Sequence, residues 1–264
     1  MISEVNFGTV DSRSMEIAEF LGVSDDYAYT RLGLGFLELH SHVNNDFRRY
    51  DPKDDKELLD WYRNTEAYIW ELTAYHLDSG YNYVGMCHGI AQRLANERPG
   101  GSVLCLGDGV GDLTIVLRHC GLDPVYHDLA SSRTAEFAQF RFEQVPWIER
   151  YPTLLSDGWS FPQRNKQKFD AVVSLDFLEH VTDVPAWASA IYNTLVPGGL
   201  FCAQNAFACG SGPTGSIPMH LSRNDIYEHQ WDSLLASLGF VQQSSNWYRK
   251  EGVMSKATFA QQVT

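Results

Sequence analysis

The chain has 264 residues, 44% of them hydrophobic, with 33 acidic against 20 basic residues for a formal net charge of -13. That length supports one sizeable core domain with an appended cap, and the acid excess opposes a DNA or RNA backbone, which asks for a basic face. The opening stretch "MISEVNFGTVDSRSMEIAEF" lacks the basic and apolar regions of a signal peptide, and no run reaches the ~18 apolar residues of a membrane span. Cys87, Cys105, Cys120, Cys202 and Cys209 are odd in number, form no CxxC pair and sit in or beside apolar runs. They read as reduced thiols of a soluble cytoplasmic protein with no membrane partner.

From about residue 10 to residue 98 the signals are helical. Within "DDKELLDWYRNTEAYIWELTAYH", Leu58, Tyr62, Thr65, Ile69, Leu72 and His76 recur at steps of three and four, which predicts one apolar stripe along a helix. Asp54 and Asp55 suit a helix N-terminus. Val84, Cys87, His88, Ala91 and Leu94 repeat the pattern until "ERPGG" stops it. The segment is rich in rings, among them Tyr27, Tyr29, Phe36, Tyr62, Tyr68, Tyr75, Tyr81 and Tyr83. Rings of that kind roof an active site against water and bind a flat or apolar acceptor. Tyr27 and Tyr29, in polar "SDDYAYT", are candidates to reach the ligand, whereas His40, His42, His76 and His88 read as ordinary helical histidines.

After Gly101 the pattern becomes strand, loop and helix repeated. "SVLCL", "PVYHD", "FDAVVSL" and "GLFCAQNA" are short apolar runs bounded by Gly, Pro or Asp, as expected of strands buried on both faces of a parallel sheet. Helical segments such as "RTAEFAQFRFEQV" and "PAWASAIYNTL" lie between them, giving a doubly wound α/β fold. "FVQQSSNWYRK" and "VMSKATFAQ", joined at "EG", predict an antiparallel pair at one end of the sheet.

A strand running into Gly107, Gly109 and Gly111 and then a helix brings backbone N–H groups and a helix N-terminus to a ligand. The third glycine of a dinucleotide fingerprint is missing, because Asp112 stands there, which disfavours an NAD-dependent oxidoreductase. Asp128 ends the next strand, 17 residues after Gly111, where a carboxylate accepts both hydroxyls of a ribose. Asp157 and Trp159, in "LLSDGWSFP", are placed to meet an adenine amino group and ring face.

At this point the chain resembles the class I S-adenosylmethionine-dependent methyltransferases, over roughly residues 85 to 264 and through "VLCLGDGVG", "YHD", "SDGW", "FDAVVSLDFLEHV" and "LVPGGLF" in order. The resemblance implies a Rossmann-like, mostly parallel seven-stranded sheet with an antiparallel last strand. With the helical N-terminal cap, residues 1–98, it gives an S-adenosylmethionine-binding domain over 99–264. It implies cofactor contacts from Gly107, Asp108, Gly109, Gly111, Asp112, Asp128, Leu129, Asp157, Gly158, Trp159 and Leu175. In that family an acid usually precedes the first glycine by two positions; here it is Cys105, and Asp108 or Asp112 is the candidate replacement.

In "SLDFLEHV", Asp176, Glu179 and His180 share one face of a helical turn at the ligand edge of the sheet. With His220 of "IPMHLS" they form a candidate set for a divalent metal, Mg, Mn or Fe. The resemblance extends to metal-dependent members with a similar acid-x-x-Glu-His run. Two other readings stand beside it: His180 or His220 as general base, or a purely structural turn. Asn205, His220 and Trp231 follow the fifth strand and are candidate acceptor contacts. The expected activity is methyl transfer to an O, N or C nucleophile of a small, specialised metabolite. The rivals are RNA 3′-terminal methylation, which the acidic balance opposes, and a non-catalytic S-adenosylmethionine-binding protein. A helical N-terminus of this length also suits a homodimer.

Overall fold

The structure, a computed structural model, describes residues 8–145, 152–161, 169–207 and 217–251. Six helices come first: α1 (Val10–Leu21), α2 (Asp25–Leu32), α3 (Phe36–Tyr50), α4 (Asp55–Asn64), α5 (Ala67–Leu77) and α6 (Tyr83–Glu97). The stripe expected to run along one helix is divided between α4 and α5. Thr65 adopts an extended backbone (φ -72°, ψ 133°), its hydroxyl accepts the Ala67 N–H, and it donates to Asp46 at 2.8 Å. A cap inside the periodic run thus stops one helix and starts the next. Asp54 caps α4 as its sequence position suggested, accepting the N–H groups of Lys56 and Glu57.

The sheet follows, built from β1 (Ser102–Leu106), β2 (Asp123–Leu129), β3 (Thr153–Ser156), β4 (Phe169–Leu175), β5 (Leu195–Gln204), β6 (Phe240–Ser244) and β7 (Trp247–Lys250). The order is β3-β2-β1-β4-β5-β7-β6, with β7 antiparallel to both neighbours and the other pairings parallel. The terminal hairpin lies entirely within "FVQQSSNWYRK", turning at Ser245 and Asn246, rather than at "EG". The second predicted strand, from Val253, lies outside the described residues.

Alternation along β1 explains how both faces are covered. Leu104 and Leu106 pack with Trp187, Ala188 and Ile191 of α9 (Val184–Thr194) and Leu235 of α10 (Tyr227–Leu238). Val103 and Cys105 pack on the opposite face with Cys87, Ala91 and Leu94 of α6 and Val116 of α7 (Asp112–His119). The remaining helix, α8 (Arg133–Glu143), follows β2. Thus α6, grouped with the cap by its helical period, belongs to the layer covering the sheet. Helices α1, α2, α3 and α5 gather Ile17, Ala28, Leu39, Ile69 and Trp70 into a separate cluster that reaches Val110 and Phe137.

A buried ion network joins this roof to the sheet. Asp112, fully inaccessible, accepts from Arg13 of α1 at 2.9 Å, Arg141 of α8 at 2.7 Å and faces His76 Nδ1 of α5 at 2.6 Å. Cys87, Cys105 and Cys202 are buried thiols and Cys120 is half-buried, while Cys209 lies outside the described residues. Among the described residues no helix is long and apolar enough to cross a membrane.

Candidate active site

The glycine loop is held from below by the end of β2. Tyr126 donates its hydroxyl to the Gly109 carbonyl at 2.8 Å, and Asp128 accepts the Gly109 N–H at 3.0 Å and the Leu129 N–H at 2.7 Å. Burial raises the Asp128 carboxyl to about 6. Gly107 has φ +60°, and a Cβ there would stand 2.2 Å from the Phe177 ring. Only glycine permits both that backbone and that approach. Asp108 turns its carboxylate onto the first turn of α7, accepting from the Thr114 N–H at 2.8 Å, the Leu113 N–H at 3.2 Å and the Thr114 hydroxyl. Burial holds it up to about 7.

From this loop one cavity of about 470 Å³ extends under the roof, within the range of small-molecule sites. Gly107, Asp108, Gly109, Asp128, Leu129, Gly158 and Trp159 line it at the sheet edge. Phe36, His40, Tyr62, Tyr68, Glu71, Tyr75 and Tyr81 line it from the cap, and Tyr83 from the start of α6. Leu175, Asp176, Glu179, His180 and His220 close it over β4 and β5. Among the described residues the lining holds five carboxylates, Glu71, Asp108, Asp128, Asp176 and Glu179, and neither lysine nor arginine.

Past β4 the chain turns sharply at Asp176, in the left-handed region at φ +49°, and then forms a short 3-10 turn, Leu178–His180. His180 and His220 meet edge to face at 4.6 Å between ring centres. His220 donates from Nδ1 to the Ala206 carbonyl at 2.9 Å, which leaves Nε2 as its basic nitrogen. Tyr62 Oη lies 2.8 Å from His180 Nδ1. Burial pushes both imidazoles below their ordinary value, His220 to about 4, so both are neutral at pH 7. Glu179 accepts the Ala206 N–H at 2.9 Å through Oε1, while its buried Oε2 has no hydrogen-bond partner among the described residues. Burial first, and then the neighbouring Asp176, raises its carboxyl.

The structure brings together most of the residues singled out by sequence, and the rest depart as follows. Gly111 is off the cavity, packed so that a Cβ would lie 2.7 Å from Phe142. Asp112 belongs to the buried ion network, its oxygens taken by Arg13, Arg141 and His76, and is not placed to hold a cofactor; Asp108 is the acid that lines the cavity. Asp157 is exposed and its carbonyl receives Arg63, while Gly158 and Trp159 face inward. Trp159 is fixed by its indole N–H to the Asp55 carbonyl at 2.8 Å and by its own carbonyl to Trp187 at 2.7 Å. Glu179, His180 and His220 have donor atoms within 4.8 Å of one another, but Asp176 is outside that group. Tyr27 and Tyr29, at 47% and 52% exposure, are outside the cavity lining, as are Asn205 and Trp231, which packs against Phe207.

Sequence reasoning missed Glu71, His40 and His76 as cavity residues. Glu71, 7% exposed, faces His40 Nδ1 at 2.7 Å. An acid in the apolar run "AYIWELTAY" was the available signal, since a buried glutamate on a helix needs a partner.

This fold and loop define an S-adenosylmethionine-dependent methyltransferase of class I. The family model for the methyltransferase domain matches residues 79–245, and the chain belongs to that family. No curated protein matches the sequence. Among solved structures, phosphoethanolamine N-methyltransferase 2 of Haemonchus contortus in complex with S-adenosyl-L-methionine aligns with TM-score 0.53 and 20% identity, over 70% of this chain and 44% of that one. The CurJ carbon methyltransferase aligns with TM-score 0.52 and 15% identity, over 80% of this chain and 71% of that one. At these identities the likeness is one of fold.

Proposed function

We propose that the protein methylates an O, N or C nucleophile of a small specialised metabolite in the cavity between the sheet edge and helices α1 to α5 of the N-terminal cap. The observation that carries this reading is the continuity of one cavity from the Asp128-anchored glycine loop to the neutral His180 and His220 pair. S-adenosylmethionine, when bound, supplies an electrophilic methyl on a sulfonium that is already a good leaving group. Asp128, Leu129, Gly158 and Trp159 fit its adenosine part, and Gly107 and Gly109 its methionine part. Asp108 replaces the acid missing at Cys105, and a lining with no lysine or arginine among the described residues suits a sulfonium. The roof excludes water and aligns the acceptor. His180 and His220 take the acceptor's proton when it is a hydroxyl.

An acidic cavity favours a small acceptor over an RNA terminus, whose phosphates would meet like charge. Calorimetric titration with S-adenosylhomocysteine tests the reading: tight binding in the wild type, lost in Asp128→Ala, with methyl transfer to an acceptor, supports it. No heat in the wild type sinks every methyl-transfer reading, and binding without turnover on any acceptor leaves a cofactor-binding partner protein.

A second, metal-assisted reading is favoured by the clustered donors of Glu179, His180 and His220 and the orphan Glu179 Oε2. One carboxylate and two imidazoles suit Mn or Fe(II) better than Mg. Such an ion would act as a Lewis acid toward a chelating acceptor. Titration with Mn(II) followed by electron paramagnetic resonance, alongside His180→Ala and His220→Ala, decides it.

A further inference from the structure

The carboxylates of the cavity fall into two groups. Asp108 accepts the Leu113 and Thr114 N–H groups and the Thr114 hydroxyl of α7, and Asp128 accepts the Gly109 and Leu129 N–H groups. The other three line the same cavity, Glu71 from α5 and Asp176 and Glu179 from the end of β4 and the turn that follows it. Their nearby partners are an imidazole, on Glu71, and single amides; Glu179 Oε2, fully buried, has none among the described residues. Three acids lining one cavity with no lysine or arginine among its described residues make a site awaiting positive charge. Beside it stand three rings in mutual contact, Phe36 to Tyr75 at 5.0 Å, Phe36 to Tyr81 at 4.9 Å and Tyr75 to Tyr81 at 5.2 Å. Tyr81 is 48% exposed, at the outer side of the cluster.

We propose that the acceptor is an organic amine that enters as its ammonium ion, its apolar body among Phe36, Tyr75 and Tyr81 and its charge on the Glu71, Asp176 and Glu179 carboxylates. Ring faces and carboxylates attract the same ligand charge. An acceptor bearing a phosphate or carboxylate meets like charge with no cation from the described lining to offset it. This identity rests on the methyl-transfer reading and narrows it to nitrogen. In the step itself the ammonium first gives a proton to Asp176. The freed nitrogen lone pair forms the N–C bond as the methyl's C–S bond breaks. Its electron pair stays on sulfur, which becomes a neutral thioether. The product leaves as the N-methylated ammonium, and Asp176 returns its proton to water.

The test uses the full chain, treated with EDTA so that no metal supplies the charge, and saturated with S-adenosylhomocysteine. Benzylamine, benzyl alcohol and benzoate, similar in size and differing in charge, are titrated by calorimetry. The expected result is benzylamine bound at least about tenfold more tightly than benzyl alcohol, matching the ~1–2 kcal/mol of a desolvated cation on rings, and benzoate not bound. Asp176→Asn and Glu71→Gln should each shrink the amine-over-alcohol preference at least about threefold, a change that loss of packing alone does not give. Equal affinity for the three probes, no benzylamine binding at millimolar concentration, or a preference unchanged in both variants overturns the amine assignment while the cofactor reading stands. Failure to bind S-adenosylhomocysteine instead brings down the reading beneath it.

Discussion

The two ends of the cavity treat their charges differently. At the sheet edge, Asp108 and Asp128 are fastened to the backbone of the loop they line, so the geometry exists before any ligand arrives. At the other end, among the described residues, Glu179 Oε2 has no hydrogen-bond partner and the lining gives Glu71 and Asp176 no arginine or lysine. The first end is preorganised for one cofactor, whereas the second is completed by what binds there. Preorganised dipoles bind a fixed ligand at low reorganisation cost, and uncompensated charge selects among ligands by sign.

The largest effect is expected where the two regions are joined. Asp112→Asn leaves Arg13 and Arg141, 1% and 6% exposed, with only the half-buried Glu16 as a shared carboxylate. Breaking a buried pair costs about 3–5 kcal/mol, so thermal unfolding should fall by roughly 6–15 °C. A shift under about 2 °C would mean the roof is not anchored through this ion network. Next comes Gly107→Ala, which places a methyl against Phe177 at a positive φ. It should abolish S-adenosylhomocysteine binding and destabilise by about 1–3 kcal/mol. Adding Phe177→Ala relieves the clash but not the backbone strain, so only partial recovery in the calorimeter is expected.

Smaller effects sharpen the contrast between the ends. Tyr62→Phe removes the hydroxyl 2.8 Å from His180 Nδ1. A loss of about 1 kcal/mol should appear as a few-fold lower kcat with cofactor affinity unchanged, measured by calorimetry and steady-state rates. The smallest is a pH slope. The Asp108 carboxyl is raised from 3.8 to about 7 in the folded protein, so between those values the native state binds the extra proton. Stability from this group is therefore greatest below about pH 4 and declines as pH rises toward 7. In ligand-free protein, Asp108→Asn should flatten that decline in Tm; an unchanged slope would assign it to other groups.

The motifs that face backbone were the legible ones. Gly107, Gly109 and Asp128 announce themselves because a tight turn and a carboxylate at a strand end have few other uses, and their places follow from local order along the chain. The hydrophobic runs likewise gave the parallel strands, since a strand covered on both faces must be apolar throughout. The break at Thr65 was hidden because its hydroxyl is committed to Asp46, 19 residues away, a contact periodicity does not contain. Asp112 had the right spacing for a ligand residue and was drawn elsewhere by Arg13, 99 residues earlier.

By itself the sequence determined the doubly wound sheet, its glycine loop and the family to which the chain belongs, because these depend on local period, turn chemistry and motif order. Tertiary structure decided which acids face the ligand and which are consumed in holding the protein together. It chose Asp108 over Asp112, set Glu71 of α5 in one cavity with Asp176, and brought His220 to His180 across 40 residues. The physical reason is that a carboxylate's role depends on the charges and donors around it in space, and those come from helices distant in the chain.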